Sequence, residues 1–256
     1  EAGQGGADTN RGYADEKVVG TFENQFANDS DIQGFLPYLV ETLPVLDTRT
    51  NLSEPAISVT GFDATRQASL GGIHLEDGSD ADLVNLGPDG VLLTKKAADS
   101  LDAQVGDTLT IYAQEKPHTF TVKGIAANEL AAGGNTAFAG NNKGGLGMML
   151  SSAQALSGHQ GKIDLLGIAL RGDVRGTVDN AQDVADRVEA WVKSDTGRQA
   201  LGIGALDLDV NPIKKQAVDI AVLVGSVFVT FFLVLGMFSI AAGILLIFMI
   251  FVMLAA

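Results

Sequence analysis

Few residues in this chain combine the types and spacing that chemistry requires. The Gly-rich run GGNTAFAGNNKGGLG, Gly133 to Gly147, invites comparison with a phosphate-binding loop. Such a loop needs Gly, four residues, then Gly-Lys-Ser/Thr opening a helix, so that backbone N–H groups cradle phosphates. Here Lys143 comes too late after Gly134 and is followed by Gly144. Gly161-Lys162 fails too, because Ile163 follows and no glycine stands five residues before Gly161. Nucleotide binding is therefore not expected. The histidines His74, His118 and His159 lie more than 40 residues apart, without the short ligand spacing of a metal site. LEDGSDAD, Leu75 to Asp82, clusters four acids but lacks the twelve-residue calcium-loop spacing that ends in Glu, and reads as a solvated turn, with weak cation binding as the alternative. No serine sits in a G-x-S-x-G elbow. The absence of cysteine excludes thiol catalysis, disulfides and cysteine-ligated metal. No catalytic residue, cofactor or metal is expected. Two N-x-S sequons remain, Asn28-Asp29-Ser30 and Asn51-Leu52-Ser53.

The elements that carry these residues belong to an acidic chain with an apolar end. Its 256 residues allow one large or two small domains. The net charge is −14, and the last charged residue is Asp219, so the negative charge sits before the apolar end. That surface disfavours nucleic acid, whose phosphates need Lys and Arg, and disfavours anionic lipid headgroups. It favours solubility, including solubility in salt. The sequence begins with Glu1 and displays no signal peptide, so a processed or partial chain is expected.

Ile220 to Ala256 is a run of 37 residues without a charge. As a helix it would be about 55 Å long. A bilayer core needs only about 20 residues. A membrane span is expected, and the excess length implies a stalk. Asn211 suits an N-cap and Pro212 the first helical position, so one rod is predicted from there to the end. Within it Gly236, Ser239, Ala242 and Gly243 are small. Ser239 and Gly243 form a small-xxx-small pair, which allows another span to approach closely in lipid.

Before the tail the pattern is mixed. Glu1 to Gly12 is Gly-rich and polar, and Phe22 to Val40 is expected to hold one or two helices. PAISVTGFD (55–63), VGDTLTIY (105–112) and HTFTVKGIA (118–126) read as strands, the last two joined by a loop at Glu115 to Pro117. GVLLTKKAADSL (90–101) reads as strand then helix. Residues 128–147 have no period and read as loop. GMMLSSAQAL (147–156) passes from strand to helix, with Ser151 or Ser152 as cap. IDLLGIALR (163–171) is a continuous apolar run expected to be a buried strand. The helix that follows should be capped by Thr177 and stopped by Gly197, with Val178, Ala181, Val184, Ala185, Val188, Trp191 and Val192 on one face. ALDLDV (205–210) alternates as a half-buried strand. Strand, helix and strand in succession predict an α/β element on one sheet.

VLLTKKAADSLDAQVGDTLTI and HTFTVKGIAAN, within Val91 to Asn128, resemble a recurrent element of MacB/FtsX/LolE-type ABC transporter permeases. GMMLSSAQALSGHQGKIDLLGIALR (147–171) resembles the next element, and FSIAAGILLIFMIFVMLAA (238–256) the second span. The resemblance covers roughly Pro55 to Ala256. It implies an α+β, two-lobed extracytoplasmic domain followed by one long stalk and transmembrane helix. Residues 1–21 would be a flexible segment after a missing first span. Residues 22–61 and 162–211 would form a porter-like α/β lobe, 62–161 an inserted β-rich lobe, and 212–256 the stalk and span. Residues up to about 215 would lie outside the cytoplasm and the C-terminus at its face. Implied partners are a cytoplasmic ABC ATPase subunit, a second permease copy or paralogue, and membrane lipid, with no nucleic acid. ATP hydrolysis would belong to the ATPase. The family's cargoes include lipoproteins, macrolides and peptides, and nothing here chooses among them. The competing expectation is a membrane-anchored extracellular binding or sensor domain without transport.

Overall fold

The structure is a computed structural model that describes residues 12–127, 144–172, 174–202 and 210, and in the C-terminal stretch residues 237, 242–245, 247, 249–250 and 253–254. The chain divides into two compact units, Glu1–Val210 and Asn211–Ala256.

The first unit is mixed α+β and is organised by one strand. After β1 (Ala14–Asp15) and α1 (Val18–Gln25), strand β2 runs sixteen residues, Ile32–Asp47. At about 3.3 Å per residue that is roughly 50 Å. One helix therefore stands where one or two were expected over Phe22–Val40; a turn over Phe26–Asp31 follows it, and the segment is strand from Ile32. The reason is alternation: Phe35, Leu39 and Val45 point to one face while Leu36 and Tyr38 point to the other, and all five are buried.

Strand β2 is paired along both edges. On one edge Tyr38–Leu46 pairs with β3 (Ser53–Phe62). On the other, Ile32–Tyr38 pairs with β9 (Leu165–Leu170) and Val45–Asp47 with β5 (Thr108–Ala113). From β3 the pairing continues through β7 (Gly145–Met149), β4 (Gly90–Thr94) and β6 (Lys116–Ala126) to β5. Because β5 pairs back to β2, six strands close into a ring, and closure leaves no free edge among them. Ile57, Val59, Val91, Leu93, Leu109, Ile111, Val122, Leu146 and Met148 share one face of it and are at most 1% exposed.

Helices α3 (Lys95–Leu101) and α4 (Leu150–Ser157) follow β4 and β7, which are antiparallel neighbours, so they leave the ring at opposite rims. Both pack back onto the same apolar cluster, through Ala97 and Leu101 and through Ala153 and Leu156. Thr94 Oγ1 accepts from Ala97 N, capping α3, and from Gly145 N, tying β4 to β7. Helix α4 has no side-chain cap: its N-cap is Met149, and Ser152 Oγ instead donates to Pro88 O at 2.7 Å. The outer face of the sheet carries a second cluster, with Leu36, Tyr38, Phe62, Ile73, Leu83, Leu86 and Leu92 under α2 (Ala64–Ser69) and the segment after it.

The β5–β6 turn is tighter than expected. Gln114 and Glu115 have φ of 49° and 61°, a two-residue turn with both central residues left-handed, and Lys116 and Pro117 are already paired in β6. Helix α5 spans Val174–Lys193, so it begins before Thr177. Ala181, Val184, Ala185, Val188 and Val192 are buried as their spacing predicts. Gly197 is not the stop. It sits in α6 (Asp195–Leu201), where Ser194 Oγ accepts from Gly197 N and donates to Trp191 O. A side chain there would overlap Trp191 O. Strand β9 is only part-buried, with Leu165 37% exposed, whereas its apolar run suggested full burial. The strand expected at 205–210 and most of the loop expected at 128–147 lie outside the described residues.

Helices α1 and α5 meet β2 through aromatic rings. Phe22 lies 5.7 Å from Phe35 and 5.2 Å, edge-on, from Trp191, and Phe26 lies 5.5 Å from Trp191. Arg187 of α5 closes the outside of this contact on Asp29 and Asp31, at 3.0 and 2.9 Å.

Two glycines give opposite predictions. A Cβ on Gly61 of β3 would overlap Ala153 of α4, whereas one on Gly20 of α1 meets nothing within 4 Å. Thermal denaturation of the purified chain should therefore place Gly61→Val below wild type by roughly 1–3 kcal/mol. Gly20→Ala should be stabilised by about 0.5–1 kcal/mol.

Candidate functional site

The polar interactions of the first unit concentrate where distant segments are fastened together. The most developed lies between the N-terminal segment and the loop after α4. Strand β1 pairs with β8 (Lys162–Ile163). Just before it, the Tyr13 ring stacks on His159 with centroids 3.8 Å apart. Glu41 of β2 receives both rings: Tyr13 Oη donates to Glu41 Oε1 at 3.0 Å, and His159 Nδ1 lies 3.2 Å from the same oxygen. Beneath this, Gln154 of α4 is buried, and its amide donates to Glu16 Oε2 at 3.0 Å and to Lys162 O at 3.1 Å. A buried amide with both protons used fixes its neighbours strongly, because an unpaired group there would be costly. Glu16 N adds a bond to Gly161 O. The chain entering the domain is thus clasped to α4 and β2.

A second junction ties the β2–β3 hairpin to the turn before β5. Asp47 is fully buried, and its Oδ1 accepts from the N–H of Arg49 and Thr50. Arg49 Nε bridges both oxygens of Asp107 at 2.9 Å, and its Nη2 donates to Asp102 O. Burial pushes the Asp107 carboxyl up, but the Gln104 N–H and the Arg49 guanidinium more than offset it and hold the group below the usual carboxylate range. A third polar contact is internal: Tyr38 Oη donates to Gln67 Oε1 at 2.9 Å, and burial drives the phenol far above its ordinary value.

These junctions fasten and orient; none pairs a nucleophile with a base facing open space. His74 contacts Asp80 across an exposed turn, and Asp77 folds onto Ser79 within LEDGSDAD. Among the described residues no group of three or more His, Asp or Glu is placed to hold a metal ion.

Of the residues singled out in the tail, Asn211, Pro212, Gly236 and Ser239 lie outside the described residues. Ala242 and Gly243 are helical and exposed, and a Cβ on Gly243 would meet nothing within 4 Å. Around them Met237, Ile244, Leu245, Ile247, Met249, Ile250, Met253 and Leu254 are each more than half exposed. Among the described residues no helix is long and apolar enough to cross a membrane, and the expected span falls mostly beyond them. Sequence reasoning missed the clasp, because Tyr13, Glu41 and His159 are 28 and 118 residues apart. One signal was available, the polar Gln154 in an otherwise apolar helix face.

Comparison with known proteins assigns this arrangement. The sequence pattern of the MacB-like periplasmic core domain matches residues 4–192. The chain therefore belongs to that family, the extracytoplasmic domain of MacB/FtsX-type ABC transporter permeases. The family is a transporter domain, not a known enzyme. No curated protein matches the chain. Among solved structures, the periplasmic region of MacB from Actinobacillus actinomycetemcomitans is similar at 14% identity, with TM-score 0.46, covering 75% of this chain and 85% of that one. The extracellular domain of the noncanonic ABC-type transporter YknZ from Gram-positive bacteria is similar at 9% identity, with TM-score 0.43, covering 69% and 84%.

The junctions make two predictions. Gln154→Leu removes both anchoring bonds and should cost about 1–3 kcal/mol. Amide exchange in β1 and β8 should accelerate more than in β4 or β7. For Asp107 the folded pKa is lowered, so its stabilisation is present above the unfolded carboxylate pKa of about 4 and is lost as pH falls through the folded value. Denaturation midpoints from pH 7 to pH 3 should fall less steeply in Asp107→Asn than in wild type.

Proposed function

We propose that this chain is the outer domain and second span of an ABC permease that carries ATP-driven motion outward. The observation that supports it most is the family match over residues 4–192 followed by 37 uncharged residues from Ile220. Members of the family work with cytoplasmic ATPases and as dimers. The ATPase hydrolyses ATP at the cytoplasmic face, and a second permease copy or paralogue packs beside this one. Pro212 to Ala256 forms a rod from domain to bilayer, with Gly236, Ser239, Ala242 and Gly243 facing a neighbouring span. The exposed Ile, Leu and Met side chains around Gly243 suit lipid or such a span. Residues up to about 215 lie outside the cytoplasm and the C-terminus at its face.

The domain division is part of the proposal: a porter-like lobe from 22–61 and 162–211, an inserted lobe from 62–161. Strands β2 and β3 join the ring with strands of the insertion, so Phe62 marks where the insertion leaves the chain rather than where one sheet ends. The clasp of Tyr13, Glu41, His159 and Gln154 holds the incoming chain to the domain, so that movement of the domain's base is passed to β2. The cargo is an extracytoplasmic substrate of the efflux or lipoprotein-release kind.

A helix breaker in the rod tests this. Val222→Pro in the complete transporter should abolish export while the outer domain keeps the circular dichroism and denaturation midpoint of wild type. Unchanged export would refute transmission through this helix and favour an anchored binding or sensor domain.

A further inference from the structure

Two sequons survive as motifs without a role, and the structure distinguishes them. We infer that Asn51 is an N-glycosylation site and that Asn28 is not. The inference rests on the reading above that this domain lies outside the cytoplasm.

Asn51 sits at the tip of the β2–β3 hairpin, at the far end of β2 from Ile32. It adopts φ of 58°, a left-handed conformation that Asn tolerates well. Asn51, Leu52 and Ser53 are all exposed, Leu52 by 45%. Their side chains are bound by no partner that would have to be broken. The backbone of the tip is tied, with Asn51 N donating to Asp47 O, Leu52 O accepting from Asp47 N and Leu52 N donating to Thr50 Oγ1, but the side-chain ties stop at Arg49 on Asp107 and at Thr50 Oγ1, which donates to Leu101 O at 2.8 Å. The Asn51 carboxamide and the Ser53 hydroxyl are therefore both presented to solvent, with a neutral residue between them.

Asn28-Asp29-Ser30 differs at its middle residue. The Asp29 side chain is only 14% exposed and takes three bonds from Arg187 and one from the N–H of Asp31. Drawing this segment into another protein's groove would break the ion pairs that hold α5 to the start of β2. It would also bring an unpaired carboxylate toward a phosphate-bearing donor, and like charges repel.

The reaction is a glycosyl transfer. Asn51 Nδ2 attacks the anomeric carbon of a lipid-phosphate-linked oligosaccharide. A C–N bond forms, the C–O bond to phosphate breaks, the lipid phosphate leaves with the electron pair, and one amide proton passes to a base. The bulky, hydrated product stands at the hairpin tip and shields Leu52.

Trypsin separates the two sites. Cleavage after Lys17, Arg49 and Arg66 gives one peptide, 18–49, with Asn28 and another, 50–66, with Asn51. The full chain, isolated from membranes of its own source cells, should yield peptide 50–66 carrying the mass of a whole oligosaccharide. Peptide 18–49 should have its sequence mass. Asn51→Gln and Ser53→Ala should each remove the increment. Topology is read separately with Lys116→Cys, an exposed position in a chain that has no other cysteine, labelled on intact cells by an impermeant maleimide. Labelling together with an unmodified peptide 50–66 would overturn the inference and leave the outer location standing. No labelling would overturn both. An oligosaccharide on peptide 18–49 would overturn the selectivity argued from Asp29.

Discussion

The domain depends on a single constraint: β2 must be hydrogen-bonded along both edges at once. At Tyr38 it meets Leu165 of β9 on one side and Phe62 of β3 on the other; at Val45 it meets Ile111 and Glu54. A strand so paired cannot slip, because a one-residue shift would exchange its two buried faces. Phe35 and Leu39 would leave one apolar cluster while Leu36 and Tyr38 left the other. The ring therefore closes around a strand whose opposite end carries the aromatic contact of α1 and α5.

Pairing of this kind holds the two apolar clusters in one register. Three of the polar side chains buried in the domain fasten it. Thr94 joins β4, α3 and β7; Gln154 joins α4 to the N-terminal segment; Gln67 holds the Tyr38 hydroxyl. The family match assigns the domain to the outer part of a transporter permease.

Much of the fold was legible in the sequence, and what was not has identifiable causes. Thr94-Lys95 marks the passage from β4 to α3 because a strand-end threonine precedes helix formers, and α5 announces itself by the spacing of Ala181, Val184, Val188 and Val192. Strand β2 was obscured by Gly34, Pro37 and Pro44, which weaken its alternation although each is accommodated in or beside the pairing. The cap of α4 was misassigned because Ser152 finds a carbonyl 64 residues away instead of its own helix end. Ring closure was beyond local reading, since the parallel pairs β3–β7 and β4–β6 are set by packing between segments far apart in the chain. The clasp failed to appear for the same reason, its two rings and carboxylate meeting only after β2 and β8 are in place.

The most direct test of the account is what accompanies the chain out of its membrane. Tagged, solubilised in mild detergent from its own source cells and isolated, it should carry an ABC ATPase in about one-to-one proportion. Isolation of the chain as a stable, membrane-derived species with no ATPase bound, under conditions that preserve known transporter complexes, would contradict it.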